Sequence, residues 1–500
     1  MTAARPRPSG GTKVALVAVG LIAGGCAVGP AYKRPAAPMP AHAPAAPPEG
    51  FKSAKPQDDL LRGPWWEIFG DPTLNSLESQ IEVSNQSIAQ AEAQFRVARA
   101  IARGLRGALF PTVNAGAALT RSQGSTRAGA AAPSPGTVYQ VSGDVSYEVD
   151  LWGRVRRTVE AGVASAQASA ADLEGVRLSI HAELASDYLE LRGIDAQLDL
   201  LESSIAAYQK ALQLTINRHD QGVVSGVDVA QAETQLESTR AAATELKLAR
   251  AQLEHAIATL LGKPAQDFSL ERLPLTAPPP AVPEVIASGL LERRPDIAAA
   301  ERRVAAANAQ IGVAQAAYFP TLSLSASGGY AGSEIAHLVS LPNRFWSIGA
   351  SLLETLFAGG KKRAAVEQAK ASFDVNVAIY RDQVLAAFQE VEDQLTSLNF
   401  LTEETAQQGA ASEAALRSLA IAENRYQGGI TTYLEVVTAQ TAALANQRIL
   451  VQLQTRRMTS SVGLVKAVGG GWRESDLPSG WTVLSRAPVP PAGSERTRPE

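Results

Sequence analysis

Residues suited to catalysis or metal binding are few in this sequence and lie far apart. The 500 residues include five His and one Cys, and no two of these have the spacing that zinc or iron–sulfur ligands need. The string AGGKKR at 358–363 lacks the GxxxxGK[ST] spacing of a phosphate-binding loop. We therefore predict no catalytic residue, no metal site and no cofactor, and the sequence argues against an enzyme.

Cys26 is the one residue for which the sequence predicts covalent chemistry. Basic residues at 5, 7 and 13 precede a short apolar run at 14–22, and small residues at 23–25 lead directly to this Cys. The run is too short to cross a bilayer, which takes about 20 apolar residues, so 1–25 is interpreted as a cleaved signal peptide. The pattern is typical of a bacterial lipoprotein, whose Cys carries a diacylglycerol and a fatty acyl group. An ordinary signal peptide followed by an incidental Cys is the alternative.

The composition excludes other classes of protein. A net charge of −3 and an aromatic content of 5% argue against a nucleic-acid binder, which needs a clustered basic surface. No stretch has 18 consecutive apolar residues, so the sequence predicts no transmembrane helix. Ala27, rather than Asp, follows the Cys, which favours sorting to the outer membrane.

Long segments of the sequence occur twice. NRHDQGVVSGVDVAQAE at 217–233 matches NRYQGGITTYLEVVTAQ 207 residues later, and ALFPTVNAGAAL at 108–119 matches AYFPTLSLSASG 209 residues later. A repeat of this length indicates a duplicated domain rather than a solenoid. We predict the following divisions: a signal peptide at 1–25, a lipidated extended segment at 26–62, a first repeat at 63–262, a Pro-rich linker at 263–284, a second repeat at 285–467, and a C-terminal segment with a disordered tail at 468–500.

Each repeat contains two segments in which apolar and polar residues alternate. These segments are 112–120, 138–151, 321–330 and 345–353, and Val145 lies on the apolar face while Ser146 lies on the polar face. Such alternation predicts strands long enough to cross a bilayer when tilted. A sheet that spans lipid must close, and the smallest single-chain barrels have about eight strands. Several chains must therefore contribute four strands each, and three chains give twelve. A soluble sandwich is the alternative.

Proline-free helical patterns follow the strands, at about 152–219 and 359–426. A helix of some 65 residues would extend to roughly 100 Å, which predicts coiled-coil packing rather than a globular core. Glycine-containing turns then reverse the chain into second helices at 227–261 and 434–467.

Five strings of the sequence carry a resemblance to known proteins: CAVGPAYKRP at 26–35, PWWEIFGDPTLNSL at 64–77, LLERRPDIAAAERRVAAANAQIGVAQAAYFPTLSL at 290–324, NRYQGGITTYLEVVTAQ at 424–440 and KAVGGGW at 466–472. They resemble signatures of one family, the TolC-like outer-membrane factors, in the lipoprotein (NodT-type) branch that serves resistance–nodulation–division (RND) efflux systems. The resemblance runs through nearly the whole mature chain.

The resemblance implies a mainly α-helical homotrimer. Its twelve-stranded β-barrel, with four strands per chain, would lie in the outer membrane of a Gram-negative bacterium and continue as a long α-helical barrel through the periplasm, with a mixed equatorial region around the helices. The implied function is the exit duct of a tripartite efflux pump, which receives small molecules such as drugs from a periplasmic membrane-fusion adaptor and an inner-membrane RND-type transporter. The alternatives are the outer-membrane duct of a type I protein secretion system and a periplasmic adaptor lipoprotein.

The resemblance also implies a gate where the long helices reverse. The implied gate residues are Tyr426, Leu434, Glu435, its repeat counterpart Asp228, and Thr438, which stands where family members commonly have Asp. The implied adaptor-contact residues are Gly222, Val223, Gly429 and Ile430. For Glu435 the alternative is a solvated acid near a helix N-terminus, where the macrodipole favours negative charge.

Overall fold

The computed structural model describes residues 27–38, 64–123, 134–275 and 293–485. The helices are α1 (Pro72–Ser84), α2 (Gln86–Gly107), α3 (Arg154–Asp220), α4 (Gly226–Leu260), α5 (Pro295–Ala316), α6 (Lys361–Gln427), α7 (Tyr433–Val468) and α8 (Gly480–Leu484). The strands are β1 (Thr112–Ser122), β2 (Gly136–Val149), β3 (Thr321–Gly332) and β4 (Arg344–Leu353). All the predicted strands and long helices are present, with bounds that differ from the predicted ones by no more than two residues.

The order of elements repeats along the chain. The series α2, β1, β2, α3, α4 corresponds to α5, β3, β4, α6, α7. Helices α2 and α5 each have 22 residues, and α3 and α6 each have 67. Helix α6 begins 207 residues after α3, so each residue of α3 has a counterpart 207 positions later.

The four strands form one antiparallel sheet in the order β1-β2-β3-β4. Its register aligns the apolar positions across every strand: Val113 lies opposite Val145, Val145 opposite Ala326, and Ala326 opposite Ile348. The polar positions form a parallel row of Asn114, Asp144, Ser327 and Ser347. The alternation in the sequence therefore gives the whole sheet one apolar face and one polar face.

The helices carry most of the packed interior. The largest hydrophobic cluster joins Trp65, α1 and α2 to the middle of α3 and the end of α7, with Leu184 and Leu191 fully buried. Within the described ranges, no helix combines the length and the hydropathy that a membrane-crossing helix needs.

A buried ionic cluster ties α1 to α3. The Nδ1 atom of His181 lies 2.6 Å from Glu78 Oε2, its Nε2 atom lies 3.0 Å from Glu82 Oε1, and the indole of Trp66 stacks on the imidazole. Burial alone lowers the pKa of His181, but hydrogen bonds to Glu78 and Glu82 outweigh it and raise the pKa to about 9. Burial raises the pKa of the Glu78 carboxyl to about 7, against the opposing effect of its bond to His181. At neutral pH the imidazole is therefore a cation between two carboxyl groups.

The second arginine of the RRPDI string, Arg294, is buried at the start of α5 and contacts two other helices. Its buried guanidinium lies 2.6 Å from Glu390 on α6 and donates a 3.0 Å hydrogen bond to the carbonyl oxygen of Ala467 on α7. Asp296 holds it in place through a second ion pair of 2.6 Å. The string thus joins three helices of the second repeat.

The segment that follows Cys26 lies where the sheet meets the helices. The Val28 amide donates to the Trp152 carbonyl oxygen at 2.9 Å, just before α3 begins. Gly29 has φ +107°, and a Cβ there would lie 2.5 Å from the Cα of Gly312 on α5, so a larger residue would force the segment away. Cys26 itself lies outside the described residues.

Candidate functional site

The two helix reversals have the same backbone geometry. Gly222 follows the end of α3 with φ +74°, and Gly429 follows the end of α6 with φ +68°. Both are in the left-handed conformation, which glycine adopts without a steric penalty. The amide of Val223 then donates to the Arg218 carbonyl oxygen at 2.8 Å, and that of Ile430 to the Arg425 carbonyl oxygen at 2.9 Å. Each long helix therefore ends in a hydrogen-bonded glycine cap.

A pair of buried tyrosines packs the second turn. The rings of Tyr426 and Tyr433 meet edge to face, with centroids 5.2 Å apart, and the two residues are 5% and 2% exposed. Burial, reinforced by the neighbouring tyrosines Tyr426 and Tyr208, raises the pKa of Tyr433 to about 12. The hydroxyl of Tyr426 has no hydrogen-bond partner among the described residues. In the single chain, Tyr426 is thus a packing residue of the turn.

Arg218 of the first turn holds the second turn. Its guanidinium donates to the carbonyl oxygens of Tyr426 at 3.0 Å and Gln427 at 2.9 Å, and its Cζ lies 4.8 Å from the centroid of the Tyr426 ring. These two residues end α6, where carbonyl groups lack partners within the helix and the dipole favours a cation. One arginine therefore links the ends of both long helices.

The two candidate gate acids occupy equivalent positions and make different contacts. Asp228, in the first turn of α4, accepts hydrogen bonds from the amide and hydroxyl of Ser225 at 2.9 and 3.0 Å, which caps that helix. Glu435, in the first turn of α7, lies 3.5 Å from Arg425, and both side chains are about half exposed. Within one chain the two acids therefore have different partners.

The other predicted residues lie on the outside of the turns. Val223, Ile430 and Leu434 are exposed, and the Thr438 hydroxyl donates to the Leu434 carbonyl oxygen within α7 at 2.8 Å. These three apolar side chains are therefore exposed where the long helices reverse.

Two residues of this site escaped the sequence analysis, Arg218 and Tyr433. The Asn-Arg pair that begins both matched strings was the available signal for the arginine. Tyr433 follows Tyr426 at a distance of seven residues, but a turn separates them, so no helical period predicts their contact.

Both repeats match one family of known proteins. Residues 77–263 and 286–470 match the model of the outer membrane efflux protein family. The chain belongs to that family. The family that the sequence strings predicted is therefore confirmed.

Individual members of the outer membrane efflux protein family extend the match over most of the chain. TtgC of Pseudomonas putida KT2440, named a probable efflux pump outer membrane protein, is 32% identical over 92% of this chain and 96% of its own length. OpmQ of Pseudomonas aeruginosa PAO1, named a pyoverdine export outer membrane protein, is 33% identical over 82% of this chain and 87% of its own.

Solved structures agree with these sequence matches. The outer-membrane channel OprN superposes with a TM-score of 0.82 at 32% identity, covering 89% of this chain and 100% of that one. VceC from Vibrio cholerae superposes with a TM-score of 0.76 at 30% identity, covering 82% and 99%. The predicted fold class and function are thus confirmed: the chain is an outer-membrane efflux channel protein, mainly helical, with a four-stranded sheet among its described residues. The outer membrane efflux family is one of channels, not of enzymes.

Proposed function

We propose that three copies of this chain form the exit duct of a tripartite efflux pump. The sheet order leaves β1 and β4 as edge strands of the described sheet. Lipid cannot satisfy the hydrogen-bonding groups of an open edge, and four strands are too few to close a barrel. Pairing β4 of each copy with β1 of the next closes twelve strands, with the apolar face towards lipid and the polar face towards the lumen.

The proposed cargo is small molecules such as drugs. The names of similar channels mention toluene, antibiotic and pyoverdine, which supports this cargo over the proteins carried by a type I secretion duct. The proposed partners are a periplasmic membrane-fusion adaptor and an inner-membrane RND-type transporter. The adaptor would contact the exposed apolar surface of the turns, at Val223 and Ile430. The relatives are named outer membrane proteins, so nothing favours the adaptor alternative for this chain.

The proposed gate lies at the same turns. Three copies around one axis would bring Glu435 and its neighbours close together, which makes the end of the duct attractive to cations. Tyr426 would keep the turn closed by packing, and Arg218 would anchor it to the first turn.

A lipid anchor on Cys26 belongs to the same proposal. Its neighbour Ala27 lies against Gly153, where a Cβ on the glycine would approach the Cα of Ala27 to 3.0 Å. This contact lies at the junction of β2 and α3, the end of the helices that would face the membrane. Cys26→Ser should abolish labelling by a fatty-acid analogue, and an unmodified Cys26 in the mature protein would contradict the anchor.

Adjacent residues on opposite faces of β2 provide the test of the duct. Val145 pairs with Val113 and Ala326 on the apolar face, whereas Ser146 pairs with Thr112 and Ser325 on the polar face. A charge facing mid-bilayer costs about 2–4 kcal/mol for a basic residue and less for an acid. Val145→Asp should therefore reduce assembly of a three-copy complex, measured by mass in detergent, while Ser146→Asp should assemble normally. Equal behaviour of the two variants, or a wild-type protein that stays monomeric, would overturn the proposal.

A further inference from the structure

Two arginines lie on the apolar face of the sheet, one on each edge strand. Arg121 of β1 shares its face with Val113, and Arg344 of β4 shares its face with Ile348. Both arginine side chains are exposed. A charge on the lipid-facing side of a barrel is costly at mid-bilayer and much less costly near the interfaces. The depth of these residues in the membrane therefore determines what they contact.

Both arginines lie at the end of their strand that is remote from the helices. Along β1, Arg121 comes eight residues after Val113, and along β4, Arg344 comes eight residues before Leu352. At about 3.4 Å per residue this is about 27 Å along the strand, which a tilt of about 35–45° shortens to about 21 Å. The apolar band of an outer-membrane barrel is about 25 Å tall. The arginines thus lie at the outer edge of the band, at the level of lipid headgroups.

The basic residues at the two ends of the sheet differ in their partners. At the helix end, Arg154 pairs with Glu148 at 2.6 Å and Lys362 pairs with Glu354 at 2.5 Å. At the outer end, neither arginine of the apolar face has an ion pair or a side-chain hydrogen bond with another residue that the structure describes. The positive charge at the outer end is therefore available to an anion from outside the chain.

The duplication shows that the strands themselves do not require these arginines. β3 corresponds to β1 at an offset of 209 residues, and β4 corresponds to β2 at an offset of 207. The counterpart of Arg121 is therefore Tyr330, and that of Arg344 is Thr137. Both counterparts border the pairing of β2 with β3, the internal seam, where Tyr330 lies opposite Val141. The two positions are uncharged at the internal seam and cationic on the edge strands.

Pairing of the edge strands between copies, the copy seam, brings the two arginines near each other. In the register of the internal seam, Arg121 of the next copy lies opposite Ile348, and Arg344 lies four residues further along β4. The two Cα atoms are then about 14 Å apart. A guanidinium group binds phosphate oxygens through paired hydrogen bonds. At this separation, each arginine can hold one phosphate group of a headgroup that carries two.

We infer that each copy seam binds a phosphorylated glycolipid of the outer leaflet, with Arg344 of one copy and Arg121 of the next each holding one phosphate group. This lipid site rests on the three-copy duct proposed above. The anion is a lipid phosphate rather than a free one, because both arginines are on the face that contacts lipid. The acyl chains lie against the exposed Leu119 and Ile348. Trp346, also exposed on this face, lies at the interfacial level that favours an indole.

Native mass spectrometry of the full-length, delipidated three-copy complex tests the lipid site, with bisphosphorylated lipid A as the probe. The wild-type complex should retain up to three molecules. Arg121→Gln with Arg344→Gln, the seam variant, should bind about tenfold more weakly because charged hydrogen bonds are lost, with the three-copy mass unchanged. The matched control, Arg363→Gln with Arg417→Gln, removes two exposed arginines of α6 and should bind like wild type.

Transfer of the arginines to the internal seam gives an independent readout. Thr137→Arg with Tyr330→Arg should raise the number of lipid A molecules retained by the assembled complex from three to as many as six. Three results would each overturn the lipid site alone: equal binding by the seam variant and the α6 control, equal binding of lipid A with and without its phosphate groups, or no added lipid at the altered internal seam. A wild-type protein that is monomeric by mass would instead overturn the proposed duct.

Discussion

At corresponding positions, the two repeats bury different kinds of side chain. In the middle of the long helices the first repeat has His181, held between carboxyl groups of α1, and the second has the partly buried Phe388 in an apolar cluster. At the turns only the second repeat buries the corresponding side chains. The first repeat has the exposed His219 and Gly226, and the second has the buried tyrosines Tyr426 and Tyr433.

The comparison distinguishes features that both repeats share, which the duplicated backbone requires, from buried side chains that differ between the repeats. Helix length, glycine caps and strand alternation are the same in both repeats because they determine the architecture. The buried groups differ because the first repeat must hold α1 against its middle, whereas the second must keep its turn packed. An ionic cluster around His181 therefore stabilises the middle of the first repeat. The packing of Tyr426 against Tyr433 stabilises the turn of the second repeat.

The largest expected effect concerns the middle of the first repeat. His181→Leu leaves the fully buried Glu78 carboxyl without its cation, which should cost about 3–5 kcal/mol of unfolding free energy in a urea titration. Adding Glu78→Leu should recover most of that loss, because an apolar pair replaces an ion pair at little cost. Phe388→Leu, the counterpart in the second repeat, should cost less than about 1.5 kcal/mol. Equal losses for His181→Leu with and without Glu78→Leu would contradict this contrast.

The same cluster predicts a pH dependence confined to the first repeat. The pKa of His181 is raised from 6.5 to about 9, so its stabilisation is complete below pH 6.5 and is lost as the pH rises through 9. The raised pKa of Glu78 acts in the same direction between 4.5 and about 7, because the folded state binds that proton more tightly. Stability should fall between pH 7 and 9.5, and the His181→Leu, Glu78→Leu variant should show little change over that range.

At the turns we expect the second repeat, not the first, to lose more stability on substitution. Tyr433→Ala removes a buried ring and should destabilise the second turn by about 3 kcal/mol, seen as faster hydrogen exchange near residues 426–436. His219→Ala removes an exposed side chain of the first turn and should change stability by less than about 0.5 kcal/mol. Equal acceleration of hydrogen exchange by the two substitutions would show that the tyrosine pair does not stabilise the second turn.

The sequence predicted the architecture well for a physical reason. Strand alternation, proline-free helices and matched strings such as those at 217–233 and 424–440 are local patterns, and they gave element bounds within two residues. The ion cluster of His181 depends on α1, about 100 residues earlier in the chain, and no spacing rule connects them. An Asn-Arg pair begins both matched strings, but the partners of Arg218 are backbone carbonyl groups, which no residue type in the sequence identifies.

A smaller effect is expected from the two acids of the turns. Asp228→Ala removes the capping-box acceptor for Ser225, the N-cap residue of α4, and should cost about 1 kcal/mol, whereas Glu435→Ala breaks a half-exposed ion pair and should cost less than that. Thermal unfolding of both variants in one detergent compares them directly. A greater loss for Glu435→Ala would show that this acid has a buried role in the assembled protein.

Single-channel recording in planar lipid bilayers tests the central claim of a gated, three-copy duct most directly. The purified complex should open rarely as wild type. With Tyr426→Ala and Glu435→Ala combined, it should show larger and more frequent openings, with weaker block by multivalent cations and an unchanged three-copy mass. A correctly assembled complex whose conductance and cation block are the same with and without these changes would contradict the gate, and one that never conducts would contradict the duct itself.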